Sequence, residues 1–196
     1  NKSFLIISFI VFPAAVGIAC LAPTFVPLFF GAKFGGSVVP LMISSLVIIV
    51  IGLNNISCIQ ILVGLGYDRL FCNSVLIGTI SNFLLNLGLI PIWGANGASI
   101  ASVFAETLVL GSSVWYVYHK TPLQLKVGIP NLLKSLCGSL LFLPTILLLS
   151  RCLNGWTLVA VFILVGSGIY MFSQKILKNQ SLDLFVPVIL QKLQRK

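Results

Sequence analysis

Acidic residues are nearly absent: the 196-residue chain has three Asp and Glu against twelve Lys and Arg. Charged side chains make up 8% of it and hydrophobic ones 58%, where a soluble domain carries roughly 25% charge. So few charges cannot cover a globule in water, which excludes a soluble protein. A mean hydropathy of +1.12 excludes a disordered one. Catalytic signatures are also missing. There is one histidine, His119, read as a loop residue, and no HExxH, GxSxG or phosphate-binding Gly-rich loop. Gly64 and Gly66 form a GxG that follows an apolar run and lacks the rest of a dinucleotide fingerprint. No enzyme activity, metal or cofactor is expected. The five cysteines, Cys20, Cys58, Cys72, Cys137 and Cys152, are odd in number and without CxxC spacing, so neither a disulfide framework nor a zinc site follows. The net charge of +9 comes without a basic patch interleaved with aromatics, so nucleic acid is not an expected partner. Cations between apolar runs instead mark cytoplasmic loops facing anionic membrane lipid.

What the chain does have is long apolar runs. About 20 residues cross a hydrocarbon core of about 30 Å, and six runs meet or approach this length, near 4–21, 38–63, 73–90, 97–118, 132–150 and 156–172. Pro23, Pro27 and Gly31, then Gly64 to Arg69, then Pro91 with Gly94, then Pro122 and Pro130, then Asn154 with Gly155 punctuate them. Barrel-like alternation is lacking, so the runs are expected to be helices, which satisfy their own backbone in lipid. Pro13 and Pro144 lie inside spans and are expected to bend them. The first run reads as a span and not a signal peptide, because it is span-length, carries Pro13 and leads into more membrane sequence. The expected fold is all-α, a polytopic lobe over residues 1–174 followed by a basic amphipathic tail at 175–196.

Ten cations, including Lys2, Arg69, Lys120, Lys126, Lys134 and Lys196, fall on one side of this arrangement, and only Lys33 and Arg151 on the other. By the positive-inside rule both termini are expected in the cytoplasm, as an even number of spans requires. Trp93 and Trp156 fit interfacial anchors at the opposite ends. In the tail, Leu182, Phe185, Val186, Ile189 and Leu193 recur at helical spacing beside Lys178, Lys192, Arg195 and Lys196. That pattern suggests a helix lying on the cytoplasmic membrane face.

Polar residues inside the runs are the candidate functional ones. Gly97, Ala101 and Ala105 step by four and form a small-residue packing face in the fourth span. Asn54, Asn55 and Gln60 in the second span, Asn82 and Asn86 in the third, and Glu106 and Thr107 in the fourth either bond helices together or line a cavity. Glu106 stands apart, since an ionised carboxylate at mid-span costs at least about 2.5 kcal/mol. It is expected to face a protein or water-filled interior.

The order of motifs resembles a known family. Pro13 and Gly17, the run from Leu28 to Phe34, the run from Ile61 to Gly66, and above all the block from Asn82 to Ala101 followed by Glu106 are similar to the C-terminal half of polysaccharide-biosynthesis flippases. These are the Wzx-type O-antigen transporters of the multidrug and oligosaccharidyl-lipid exporter superfamily. The resemblance covers residues 13–118. It implies two bundles of about six helices around a central cavity, moving undecaprenyl-diphosphate-linked oligosaccharide across the bacterial inner membrane by alternating access, without covalent change. It implies a missing N-terminal lobe as partner, and the start at Asn1 without Met agrees with a piece of a longer protein. One departure stands out: a diphosphate wants Arg or Lys in the cavity, yet the only deep charge is Glu106, which suits proton coupling better. A drug or cation exporter of the same superfamily would share the fold. A non-transporting scaffold would tolerate apolar residues at Asn82, Asn86 and Glu106.

Overall fold

The computed structural model describes residues 2–121, 129–179 and 182, and every regular element among them is helical. Helix α1 is Lys2–Phe30. A 3-10 stretch, Ala32–Ser37, leads into α2, Val38–Asn54, which widens into a π-helix over Asn55–Val63. Then come α3 (Asp68–Trp93), α4 (Ala95–Lys120), α5 (Ile129–Leu140), α6 (Phe142–Leu149) and α7 (Gly155–Ile176). Six helical stretches among the described residues are long and apolar enough to cross a membrane, α5 and α6 together making the fifth, Pro130–Leu149. The chain is an all-α, multi-pass membrane bundle.

Several boundaries differ from the sequence expectation. The first span does not end near residue 21 but continues through Pro23 and Pro27 to Phe30, and Pro91 lies inside α3. Each proline removes one backbone bond, whereas stopping the helix in hydrocarbon would strand several carbonyls. Pro144 does interrupt its span, separating α5 from α6 at Leu141. The Thr145 hydroxyl there donates to the Leu141 carbonyl at 2.7 Å. His119 is not in a loop but in the last turn of α4, its Nδ1 2.9 Å from the Trp115 carbonyl. Residues 175 and 176, assigned to the tail, belong to α7. Leu182, read as part of the amphipathic tail, packs against the aromatic core of α1, α6 and α7. Tail residues 180, 181 and 183–196, and Lys126, lie outside the described residues.

Helices α3 and α4 form a tight hairpin about Gly94, whose φ of 55° favours glycine. A methyl at Gly97 would overlap the Leu89 carbonyl, and one at Gly78 would overlap the Val109 side chain. The expected small-residue face is therefore a packing face, with Gly97, Ala101 and Ala105 buried. Helix α2 packs on both α4 and α1, so α2, α3 and α4 form one group and α1, α5, α6 and α7 a second, joined along α1 and α2. Exposed apolar residues on α3, namely Leu76, Ile80, Phe83, Leu84 and Leu87, recur at helical spacing opposite the buried Ser74 and Gly78. Most buried polar residues are serines that bond back to their own helix, such as Ser8 to Leu5, Ser74 to Leu70 and Ser139 to Ser135. They satisfy themselves without needing water. Trp156 packs edge-on against Phe25 and Phe29, with ring centroids 6.3 and 6.4 Å away, and Trp93 is exposed at the end of α3. Both positions suit anchors at a membrane–water boundary.

The second group is held by Phe9, Phe142, Phe162 and Tyr170. Pro13 has no N–H to give the Phe9 carbonyl four residues earlier, and the Tyr170 hydroxyl donates to that carbonyl at 2.8 Å. A side chain of α7 thus serves the backbone of α1 where proline cannot. Tyr170→Phe is expected to destabilise the bundle by about 1 kcal/mol. In a Pro13→Ala background, which restores the helical donor, the same change should cost clearly less. Thermal unfolding of the four combinations in detergent measures the difference, and equal costs in both backgrounds would contradict the compensation.

Candidate functional site

A cleft of about 580 Å³ opens between the lower part of α2, the π-helix, α3 and α4. Its apolar wall includes Ile51, Ile59, Phe71, Val75 and Val109, and its polar groups are Asn54, Asn55, Cys58, Thr79, Asn82, Ser102 and Glu106. Asn82 and Glu106 lie near the middle of α3 and α4, so the cleft sits at half-depth in the bundle. Small residues make room for it: Gly78 and Ala105 line the seam where α3 and α4 approach.

Its centre is the pair Asn54 and Glu106. Asn54 is the last residue of the α-helical part of α2 and only 7% exposed. Its Nδ2 donates to Glu106 Oε2 at 3.0 Å and to the Glu106 backbone carbonyl at 3.2 Å. The backbone carbonyl can only accept, so this second bond fixes which way the amide points. Asn54 Oδ1 then faces away, buried and without a hydrogen-bond partner. A buried carbonyl oxygen in that condition normally costs about 1–3 kcal/mol. It is therefore a place where a donor or a cation would be welcome.

The other predicted residues divide. Asn55 lines the cleft and accepts a bond from Gln60 Nε2 at 3.3 Å; Gln60 itself is on the exposed side of the π-helix. Asn82 lines the cleft, while Asn86, one turn on, stands behind it and donates to Asn82 Oδ1 at 2.8 Å. Thr107 is turned out of the site, exposed and bonded to the Val103 carbonyl at 2.7 Å. Its neighbour Glu106 faces the cleft because adjacent helical residues point about 100° apart.

Sequence reading missed Cys58, Thr79 and Ser102 as cleft residues. Thr79 stands three residues from Asn82 and Ser102 four from Glu106, so helical spacing from the polar pair carried the signal. It also missed a second polar cluster, where Gln174 and Asn179 are 0% and 1% exposed. Gln174 Nε2 donates to the Lys134 carbonyl at 3.0 Å, and Asn179 Nδ2 to Gln174 Oε1 at 2.6 Å and Ser135 Oγ at 3.1 Å. This cluster ties α7 to α5.

Chemically, the cleft offers amide and hydroxyl groups plus one carboxylate, and no Lys or Arg is among its lining residues. It suits hydroxyl-rich or cationic groups and is poorly matched to a bare anion. Among the described residues no three of His, Cys, Asp and Glu come together. No protein-family model, curated protein or solved structure matches the chain.

Proposed function

We propose that this chain is one lobe of a membrane transporter that carries a lipid-linked oligosaccharide, of the undecaprenyl-diphosphate type, across the bacterial inner membrane for surface-polysaccharide assembly. The observation that carries the reading is the polar cleft at half-depth, centred on Asn54 and Glu106, in an otherwise apolar bundle. Polar groups there are costly unless they serve packing or passage, and the Asn54 amide oxygen is buried without a hydrogen-bond partner. The block from Asn82 to Ala101, by its resemblance to the Wzx-type flippases, supplies the substrate class. In this reading the amides and hydroxyls face the sugar units, Glu106 exchanges a proton during alternating access, and a second lobe completes the pathway and meets the diphosphate. The chemistry is transfer between membrane faces and not bond breaking, so the lobe is not an enzyme and needs no cofactor. Both termini lie in the cytoplasm, on the side of the cation-rich loops.

The absence of Lys and Arg from the cleft favours a second reading, export of a lipophilic cation that would use Glu106 as counter-charge. Proteoliposomes of the full-length protein decide between them. Movement of a fluorescent lipid-linked oligosaccharide to the opposite leaflet, driven by a pH gradient, is the expected result. Export of a lipophilic cation with no oligosaccharide movement would replace the first reading by the second. For orientation, in a chain cleared of its five native cysteines, Lys33→Cys is expected to react with an impermeant thiol reagent from outside, and Arg69→Cys only after permeabilisation. The reverse pattern would invert the assignment.

A further inference from the structure

The nine-residue π-helix Asn55–Val63 borders the cleft directly. Long π-helices are rare, because the wider turn has poorer packing and hydrogen bonding, and where they occur they frequently mark functional sites. The widening here has identifiable supports. The wider turn runs to the end of the segment, where Gly64 N–H donates to the Ile59 carbonyl at 3.2 Å; beyond it Leu65 N–H returns to the Ile61 carbonyl, and Gly66 and Tyr67 close the helix with bonds to the Val63 and Leu62 carbonyls. A Cβ at Gly64 would overlap the Gln60 carbonyl, so the turn closes only over glycine. Ser57 Oγ meets Ser113 Oγ of α4 at 2.8 Å, clasping the segment to its neighbour. The bond from Gln60 to Asn55 joins residues five apart, which stack in a π-helix and not in an α-helix, where residues four apart do.

We propose that this segment is a register switch for the cleft, alternating between the π form and a tighter α form. A one-residue change of register turns a helix face by about 100°. On tightening, Gln60 leaves Asn55 and Ile59 takes its place over it. The consequence falls on the site. In the π form Asn55 Oδ1 is occupied by Gln60; in the α form it is released toward the cleft. There it joins Asn54 Oδ1, already buried and unpartnered, as an acceptor for cargo or ion. The switch thus sets how many amide acceptors the cleft presents. It rests on the cleft being the working site, but it does not depend on which cargo passes.

The test reads helix register and needs no transport. In the full chain cleared of its native cysteines, a short bifunctional thiol reagent is applied to Asn55→Cys/Gln60→Cys, which face each other in the π form, and to Asn55→Cys/Ile59→Cys, which do so in the α form. Residues 55 and 59 lie close in both registers and 55 and 60 only in the π form, so the expected result is a high yield for the 55/60 pair that falls relative to 55/59 when Gly64→Ala is added. Amide hydrogen exchange on the unmodified chain provides a measurement free of substitutions: residues 55–63 should exchange at least about tenfold faster than the regular part of α2. A bridge from Ser57→Cys to Ser113→Cys should slow that exchange, while a bridge from Ser44→Cys to Ser99→Cys, whose hydroxyls are 3.2 Å apart on the same two helices, should not. Exchange equal to that of α2 and unmoved by either bridge, or a crosslinking ratio that Gly64→Ala leaves unchanged, would overturn the switch. Failure of the oligosaccharide assay alongside the expected register results would remove the cargo assignment and leave the switch standing.

Discussion

Under the proposed transporter function, replacing Glu106 by Gln is expected to lower pH-driven transport by about tenfold or more while leaving membrane insertion normal, because the amide keeps the shape and the hydrogen bond but cannot take up and release a proton. The geometry makes the substitution informative. Asn54 Nδ2 donates to Glu106 Oε2 and to the Glu106 backbone carbonyl. A glutamine at 106 still offers an acceptor to that amide, and the backbone bond is untouched. Loss of function therefore cannot be assigned to loss of the clasp between α2 and α4. Among the described residues the other acid, Asp68, stands in the first turn of α3 and not among the cleft residues, so no neighbouring carboxylate can substitute for Glu106. Surface-polysaccharide complementation in the full-length protein, with expression measured alongside, reads the effect. Near-normal polysaccharide from the Gln variant would leave Glu106 as a packing residue and return the work of the cleft to Asn54, Asn55 and Asn82.

The largest expected effect on stability lies in the other helix group. Gln174→Leu is expected to destabilise the bundle by about 1–3 kcal/mol, the cost of stranding buried polar partners. Gln174 is wholly buried, gives its Nε2 to the Lys134 carbonyl and takes the Asn179 amide on its Oε1. Gly138 leaves the space for it, since a Cβ there would overlap the Gln174 side chain. A leucine abandons the Lys134 carbonyl and withdraws one acceptor from Asn179. The same change at Gln60, which is exposed and whose one partner is the Asn55 side chain, should cost well under half as much. Thermal midpoints in detergent compare the two. Equal losses would mean that the α5–α7 cluster contributes no more than a surface amide.

The chain by itself determined the class of fold, because hydrocarbon judges residues almost one at a time. Length and apolar content place the spans, and the backbone's need for internal hydrogen bonds makes them helices. The packing face of Gly97, Ala101 and Ala105 was equally legible, since helical spacing is local. So were most polar members of the cleft, where each of Asn54, Asn82 and Glu106 is conspicuous against its own apolar neighbours. Partnerships were not legible. That Glu106 meets Asn54 rather than Asn86, and that Thr107 faces away, depends on how α2 lies across α4. Gln174, at the end of the expected lobe, and Asn179, within the expected tail, gave no sign of burial in the sequence, and they are buried because α7 runs on to Ile176 and packs on α5. The widening of α2 into a π-helix was invisible for the same reason. It is held by the Ser57 to Ser113 clasp, a contact that forms only once the helices have chosen their neighbours, and by the local approach of Gly64 to the Gln60 carbonyl, and neither leaves a periodic trace along the sequence.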